Sequence, residues 1–333
     1  MTRRALAVLA GLVAAGAVAC TGASLGGGAR GATPDPVVAL DEGARTLGLA
    51  VGDGRVWAVD PASGTLRRVD PATGRVESTW VVGGTPRRLA WLDGTVWVTA
   101  AGRRALLRVD TTTGDETEEL ELDGQPEDVV AAHGGLWVTL PEQGEVVRID
   151  PSTRLVLDVV PLTPRPTLLT AGADRLWVSD PAAGTLTALD PQGRRAARPT
   201  TPCGPGSGAR GGPRGASSDG RVLWVACPDG IVEVDERSAR VLRRVPLAGR
   251  PVDVAHAGAG RLVVVLAEHG ALVVVDPADP PEPPEPGATP GADDGLPRLL
   301  PARTAGPEAE VLVHDGVAWA SGDGVRAAPL GAG

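Results

Sequence analysis

The chain has 333 residues and a formal net charge of −9, with 41 acidic residues against 32 basic ones. This modestly acidic composition without a basic stripe argues against nucleic-acid binding. The sequence contains no phosphate loop, CxxC pair, HExxH or calcium loop, so we expect no cofactor and no metal site.

The N-terminus indicates export. Two arginines are followed by an apolar, small-residue stretch, Ala5–Ala19, and then by Cys20, which is typical of a signal peptide and short for a membrane span. The junction resembles the lipobox of bacterial lipoproteins, although that pattern prefers Leu where Ala17 stands. The resemblance implies a signal peptide (residues 1–19), a lipid on Cys20 and a flexible tether (residues 20–35) at the outer face of the cell membrane. The alternative is a secreted protein, or one with an uncleaved anchor.

A forty-residue repeat organises the rest of the chain. A Trp recurs in the same phrase, and an Asp follows thirteen residues later, in four copies: Trp57 with Asp70, Trp97 with Asp110, Trp137 with Asp150, and Trp177 with Asp190. Trp224, Val263 and Trp319 occupy the same slot in three looser copies. Each copy reads as four short strands. Seven such copies predict an all-β fold, a seven-bladed β-propeller of four-stranded antiparallel blades, as one domain over residues 36–333. We expect the repeated Trp side chains to form the core between blades.

The last copy lacks a fourth strand. An apolar segment upstream of the first copy, Val37–Leu40, is available to supply it. We therefore predict that residues 36–42 complete the last blade and close the ring, which protects the strand edges. We also expect a monomer.

The period breaks at two insertions. Cys203 and Cys227 bound a Gly-rich stretch, and their register puts them on the same face of the propeller. In an exported protein such a pair indicates a disulfide, the alternative being two free thiols. A Pro-rich, acidic segment, residues 277–295, interrupts blade 6 and is predicted to be an extended surface loop, with partner docking as the alternative.

Candidate site residues map to one face. Three of them stand two positions after the Pro that opens the first strand of a blade, where a side chain is predicted to point into the central channel: Arg88, Asp128 and Asp253. Three more lie in loops on the same face: Glu142, Arg165 and Arg250. Mixed Arg and Asp side chains at a channel mouth are suited to bind a polar or charged ligand. The alternative is that they pair with one another and plug the channel.

Histidines fall into two groups. We place three of them in turns on the opposite face, where a structural role is expected: His133, His256 and His314. His269 instead follows Glu268 in a loop on the face of the candidate site. If the protein is an enzyme, Glu268 and His269 are the candidates for general acid/base work.

The repeat phrase, LWV followed by G-x-L, D-P-x-T/S-G and G-x-P, is similar to that of extracytoplasmic seven-bladed propellers of the YVTN and quinoprotein-like type, and to that of streptogramin lyases. The resemblance covers about residues 37–330 and implies the propeller fold. The lyase family would place a His after the Pro of the first strand. Here that position holds Arg87, Glu127, Thr167 and Val252.

The sequence therefore favours a cell-surface, non-enzymatic binding or scaffold module for a protein, a peptide or a cell-wall ligand. Fold alone does not decide this, because propeller functions lie in grafted sites. Two alternatives stay open: a lyase- or hydrolase-type enzyme with its site on the same face, and an extracellular sensor module.

Overall fold

The structure, a computed structural model, describes residues 46–113, 116–162, 164–206, 208, 211–267, 271–279, 298–300, 309–322 and 324–330. They belong to one compact unit, Asp35–Gly333. The signal peptide, Cys20, the tether, residues 36–42, the Glu268–His269 pair and most of the 277–295 loop lie outside the described residues. Within the described part of the chain, no helix is long and apolar enough to span a membrane.

Blades 1 to 3 are four-stranded antiparallel sheets in sequence order. Blade 1 contains β1 (Gly48–Gly52), β2 (Arg55–Asp60), β3 (Thr65–Val69) and β4 (Val76–Val81). Blade 2 contains β5 (Pro86–Leu92), β6 (Thr95–Ala100), β7 (Ala105–Asp110) and β8 (Glu116–Glu121), with a 3-10 turn at Ala101–Arg103. Blade 3 contains β9 (Val129–Ala132), β10 (Gly135–Leu140), β11 (Glu145–Ile149) and β12 (Val156–Pro161).

Blades 4 to 7 follow the same order. Blade 4 contains β13 (Leu168–Ala171), β14 (Leu176–Asp180) and β15 (Thr185–Leu189). Blade 5 contains β16 (Ala216–Ser218), β17 (Val222–Cys227), β18 (Gly230–Asp235) and β19 (Val241–Pro246). Blade 6 contains β20 (Pro251–Gly258), β21 (Arg261–Leu266), β22 (Ala271–Val275) and β23 (Arg298–Leu300). Blade 7 contains β24 (Val311–His314), β25 (Val317–Gly322) and β26 (Gly324–Pro329).

The first strands of successive blades contact one another in order, and β24 of blade 7 contacts β1 of blade 1. This ring confirms the seven-bladed propeller. Blade 7 has three strands among the described residues, as predicted. Blade 4 also has three strands. Two residues of its outer strand β15, Leu186 and Leu189, form isolated β-bridges with Thr200 and Arg195 of the chain that follows.

The repeated Trp side chains form the core between blades, as predicted. The six in the repeat slot are at most 4% exposed: Trp57, Trp97, Trp137, Trp177, Trp224 and Trp319. Val263 fills the slot of blade 6 and is also fully buried. Two Trp side chains outside the repeat slot, one from blade 1 and one from blade 2, pack against blade 1. Trp80 stacks on Trp57 with ring centroids 5.9 Å apart, and Trp91 lies over Gly52, where a β-carbon would come within 1.9 Å of the indole.

The repeated Asp has a local role in the turn between the third and fourth strands. In blade 3, Asp150 Oδ1 accepts the backbone N–H groups of Ser152 at 2.8 Å and of Thr153 at 3.0 Å. The hydroxyl of Ser152 also donates to this carboxylate, and together these bonds lower the pKa of Asp150 to about 2. Asp110 accepts the corresponding N–H groups of Thr112 and Thr113. The Asp of the repeat therefore stabilises a turn.

Hydroxyl groups on the second strands join neighbouring blades. Thr139 Oγ1 accepts the N–H of Asp128 in its own blade at 3.0 Å and donates to the carbonyl of Thr167 in blade 4 at 2.9 Å. Thr99 likewise accepts the N–H of Arg88 at 2.9 Å and donates to the carbonyl of Glu127 in blade 3 at 3.2 Å. These hydroxyls lie two positions after the Trp, so the repeat also positions the start of each first strand.

The predicted disulfide is present between Cys203 and Cys227, with an S–S distance of 2.03 Å and a Cα–Cα distance of 5.4 Å. Cys227 is the last residue of β17 rather than part of the following loop. Cys203 lies in the connection between blades 4 and 5. Such a bond is typical of proteins in oxidising, extracytoplasmic environments.

Candidate binding cavity in the central channel

One position near the start of each first strand faces the channel. Its occupants, from blade 1 to blade 7, are Gly48, Arg88, Asp128, Leu168, Gly215, Asp253 and Glu310. All except Gly48 line a cavity of about 330 Å³ that lies between the first strands. This volume is at the small end of the range for ligand pockets.

Each of the three carboxylates in this ring bonds to the backbone of the next blade. Asp128 Oδ2 accepts the N–H of Leu169 in blade 4 at 2.7 Å. Asp253 Oδ2 accepts the N–H of Val311 in blade 7 at 2.7 Å. Glu310 Oε2 accepts the N–H of Leu49 in blade 1 at 2.8 Å. The carboxylates are therefore oriented by bonds that also join the blades.

Arg88 is the cation of this ring. Its guanidinium donates to the carbonyl of Leu47 in blade 1, and Nη1 lies 3.6 Å from Glu310 Oε2. The side chain is buried. Because Arg88 contacts Glu310 directly, part of the predicted pairing among channel residues is present, but Asp128 and Asp253 bond to backbone amides.

Burial dominates the acid–base properties of the cavity. Desolvation raises the pKa of Asp128 to about 7, opposed by the charge of Arg88. It raises the pKa of Asp253 to about 8, with Glu310 adding like-charge repulsion. The pKa of Glu310 is raised by burial as well. Near neutral pH, Asp253 is therefore mostly protonated and Asp128 partly so. An incoming positive charge would favour the ionised forms.

Glycine at the blade 5 position makes room for the neighbouring carboxylate. A β-carbon on Gly215 would lie 1.8 Å from Asp253 Oδ1. The residue before it, Arg214, also lines the cavity. Any side chain at residue 215 would displace Asp253 from its bond to blade 7.

The other predicted site residues lie elsewhere on the same face. Glu142 and Arg165 are exposed, and the N–H of Arg165 donates to Asp180 Oδ2 at 2.7 Å. Arg250 is half-buried and has a left-handed backbone, with φ of 58°. None of the three is among the residues that line the cavity. A role in ligand binding for these residues, and for the three channel residues, stays a prediction.

The sequence patterns did not place two residues in the cavity that the structure shows there. The first is Glu310, because blade 7 lacks the G-x-P phrase that marked the other channel residues. Counting nine residues back from Trp319 would have found it. The second is His256, which lies on β20 and not in a turn. Its Nδ1 is 2.8 Å from Ser217 Oγ of blade 5, and both residues line the cavity. Burial lowers the pKa of His256.

The lining chemistry limits what the cavity can hold. Among the described residues, no group of three His, Cys, Asp or Glu side chains is placed to bind a metal ion. The carboxylates of Asp128 and Asp253 suit hydrogen-bond donors that carry positive charge, such as ammonium or guanidinium groups. An organic cation therefore fits the cavity chemically.

Comparisons with known proteins bear on the fold of the chain. No protein-family model and no curated protein matches the chain. Among solved structures, virginiamycin B lyase from Staphylococcus aureus is 15% identical with a TM-score of 0.68, covering 88% of this chain and 98% of the lyase. Hydrazine synthase from Kuenenia stuttgartiensis is 13% identical with a TM-score of 0.69, covering 90% and 99%. The Pan2 WD40 domain of Neurospora crassa is 12% identical with a TM-score of 0.66, covering 85% and 88%. At these identities the likeness shows that the chain shares the β-propeller fold with these proteins.

Proposed function

We propose that the chain is a non-enzymatic binding or scaffold module outside the cytoplasm, and that its channel cavity takes a positively charged group of a protein, a peptide or a cell-wall ligand. The observation that carries this proposal is the cavity itself. Its channel-facing ring holds three carboxyl groups, of which Asp128 and Asp253 are buried, against one arginine, Arg88, that already contacts Glu310. Glu127 and Arg214 also line the cavity, outside this ring.

The charge balance supports a cationic occupant. With all four groups ionised, the ring would hold three negative charges and one positive charge in a buried site. Isolated buried charge is costly, and the raised pKa values of Asp128 and Asp253 express that cost. A bound ammonium or guanidinium group would offset it, because charges attract more strongly in a low-dielectric site than in water.

The location of the protein rests on the N-terminus and the disulfide. The Cys203–Cys227 bond supports an oxidising compartment. A lipid on Cys20 would hold the propeller at the membrane surface. Cys20→Ser should move the protein from the membrane fraction to the soluble fraction, and an unchanged distribution would remove the lipid from this account.

Site-specific photo-cross-linking on intact cells tests the binding function. A photoreactive residue at Arg165, an exposed position two residues before Thr167 of the cavity lining, should capture the ligand. The same group at Thr79, on the exposed outer strand of blade 1, is the matched control. We expect an adduct at Arg165 that weakens with Asp253→Asn, and none at Thr79.

The enzyme alternative predicts a different outcome. A lyase or hydrolase that uses Glu268 and His269 would turn over a substrate, and His269→Ala would abolish that turnover while Asp253→Asn would leave the adducts unchanged. That combination of results would contradict a non-enzymatic binding module.

A further inference from the structure

We infer that Arg214, held at the cavity wall by the Cys203–Cys227 disulfide, recognises a negatively charged group on the same ligand. The ligand would then carry both signs of charge, as a short peptide with free ends does. This inference rests on the proposed function, because it adds a second contact to the same cavity.

The end of the connection between blades 4 and 5, at Arg214 and Gly215, lines the cavity. The connection packs closely on the turn that follows β14: a β-carbon on Gly212 would lie 2.2 Å from the carbonyl oxygen of Pro181, and one on Gly208 would lie 2.2 Å from that of Ala182. Pro181 itself lines the cavity. Gly208 and Gly212 are therefore held by close backbone contacts with blade 4.

The disulfide anchors the same connection to blade 5. The N–H of Arg214 donates to the carbonyl of Ala226 at 3.0 Å, and the N–H of Ala226 donates to the carbonyl of Gly215 at 2.9 Å. Ala226 directly precedes Cys227, whose sulfur is bonded to Cys203, a residue in the middle of the same connection. Backbone pairing and the disulfide thus place Arg214 where it lines the cavity.

The charges are distributed so that a ligand meets both signs. Asp128, Asp253 and Glu310 belong to blades 3, 6 and 7, whereas Arg214 begins blade 5. A second guanidinium lies close by: a β-carbon on Gly211 would be 3.1 Å from Arg250 Nη2 and 3.6 Å from Arg214 Nη2. Guanidinium groups recognise carboxylates through paired, charge-assisted hydrogen bonds. The wall at Arg214 is therefore suited to a carboxylate, and the carboxyl groups of the ring are suited to an amine.

Three forms of one dipeptide separate these contacts. Alanylglycine carries both charges, its amide lacks the carboxylate, and its N-acetyl derivative lacks the ammonium group. Calorimetric titration of the wild-type protein should give the tightest binding for free alanylglycine. Arg214→Gln should weaken that binding roughly tenfold, and should leave binding of the amide unchanged. Arg194→Gln, an exposed position on the same connection, is the matched control.

The positioning role of the disulfide has its own readout. The double variant Cys203→Ser/Cys227→Ser should show the same selective loss as Arg214→Gln. It should bind the free dipeptide more weakly and bind the amide with unchanged affinity. Equal loss for both ligands would mean that the connection supports the whole cavity, and would overturn a specific role for Arg214, as would an Arg214→Gln variant with wild-type affinities.

The same titrations distinguish a failure of the proposed function from a failure of the role of Arg214. If the N-acetyl derivative binds as well as the free dipeptide, the carboxylate ring does not recognise a cation, whatever Arg214 does. If the amide binds and the N-acetyl form does not, the proposed function stands, and the response to Arg214→Gln alone decides this inference. Absence of binding by all three forms would overturn the inference.

Discussion

The hydroxyl of Ser321 in blade 7 donates a hydrogen bond to the carbonyl of Leu47 at the entrance to blade 1, at 3.1 Å. The same oxygen accepts the N–H of Glu310 at 2.7 Å. This is the bridge that Thr99 and Thr139 make between earlier blades. The N–H of Thr46 adds a bond to the carbonyl of Gly322 at 2.9 Å. The first and last blades are thus joined by the same chemistry as their neighbours.

Removing one of these hydroxyls should destabilise the propeller. Thr139→Ala leaves a buried amide and a buried carbonyl without their shared partner, which should lower the free energy of unfolding by about 1–3 kcal/mol. Thr139→Ser restores both bonds and should recover most of the loss. Thermal melting measures the change, with Thr79→Ala on the exposed outer strand as control. Equal melting temperatures for the two Ala variants would contradict the role of the hydroxyl.

The buried Trp slot should be the most sensitive part of the core. Trp137 is fully buried, and Trp137→Ala should cost roughly 3–5 kcal/mol through the cavity that it leaves. Trp91 lies outside the repeat slot and is half-buried, so Trp91→Ala should cost less. Denaturant midpoints compare the two variants. A larger loss for Trp91→Ala would show that the repeat slot is not the main site of packing between blades.

The cavity carboxyls should make the free protein less stable as pH rises. The pKa of Asp253 is raised to about 8 and that of Asp128 to about 7, whereas an unfolded Asp titrates near 4. Between these values the folded state binds more protons than the unfolded state. The stabilisation is therefore complete below the unfolded pKa and is lost as pH rises through the folded values.

Melting temperatures measured from about pH 5 to pH 9 test this linkage. The wild-type value should fall across the range, and the fall should be smaller in Asp253→Asn. Asp123→Asn, at an exposed position, should keep the wild-type slope. A wild-type curve that rises toward pH 9 would show that these carboxyls are ionised in the folded protein.

The closing strand stays a prediction, because residues 36–42 lie outside the described structure. Deleting them should lower the melting temperature sharply if they complete blade 7 beside β26. A deletion of equal length within the tether, residues 22–28, is the control. If the two deletions melt alike, the bonds between blades 7 and 1, including those of Ser321, Thr46 and Glu310, close the ring without residues 36–42.

Local repetition made the architecture predictable. The Trp at forty-residue spacing, the Asp in each turn and the G-x-P phrase all repeat, so the number of blades, the buried Trp slot and the placement of Asp128 on the channel follow from spacing. The Cys203–Cys227 disulfide followed from the register of the two cysteines and the export signal.

Contacts between blades were not predictable in the same way. Glu310 and Leu49 are 261 residues apart in sequence, and nothing local marks the bond between them. Ser217 and His256 meet across two blades, although each stands in an ordinary strand phrase. The raised pKa of Asp253 depends on burial by neighbouring blades and on Glu310. The chemistry of the cavity therefore required the assembled ring.

Calorimetric titration with butylguanidinium tests the central claim, that the channel cavity binds a positively charged group. This cation does not titrate near neutral pH, and butylurea is its neutral counterpart. At pH near 7.5, in two buffers of different ionisation enthalpy, we predict binding of butylguanidinium with proton release from Asp128 and Asp253, and no binding of butylurea. The double variant Asp128→Asn/Asp253→Asn should lose both the affinity and the proton release. Equal binding of the two compounds, or undiminished binding by a folded double variant, would contradict the claim.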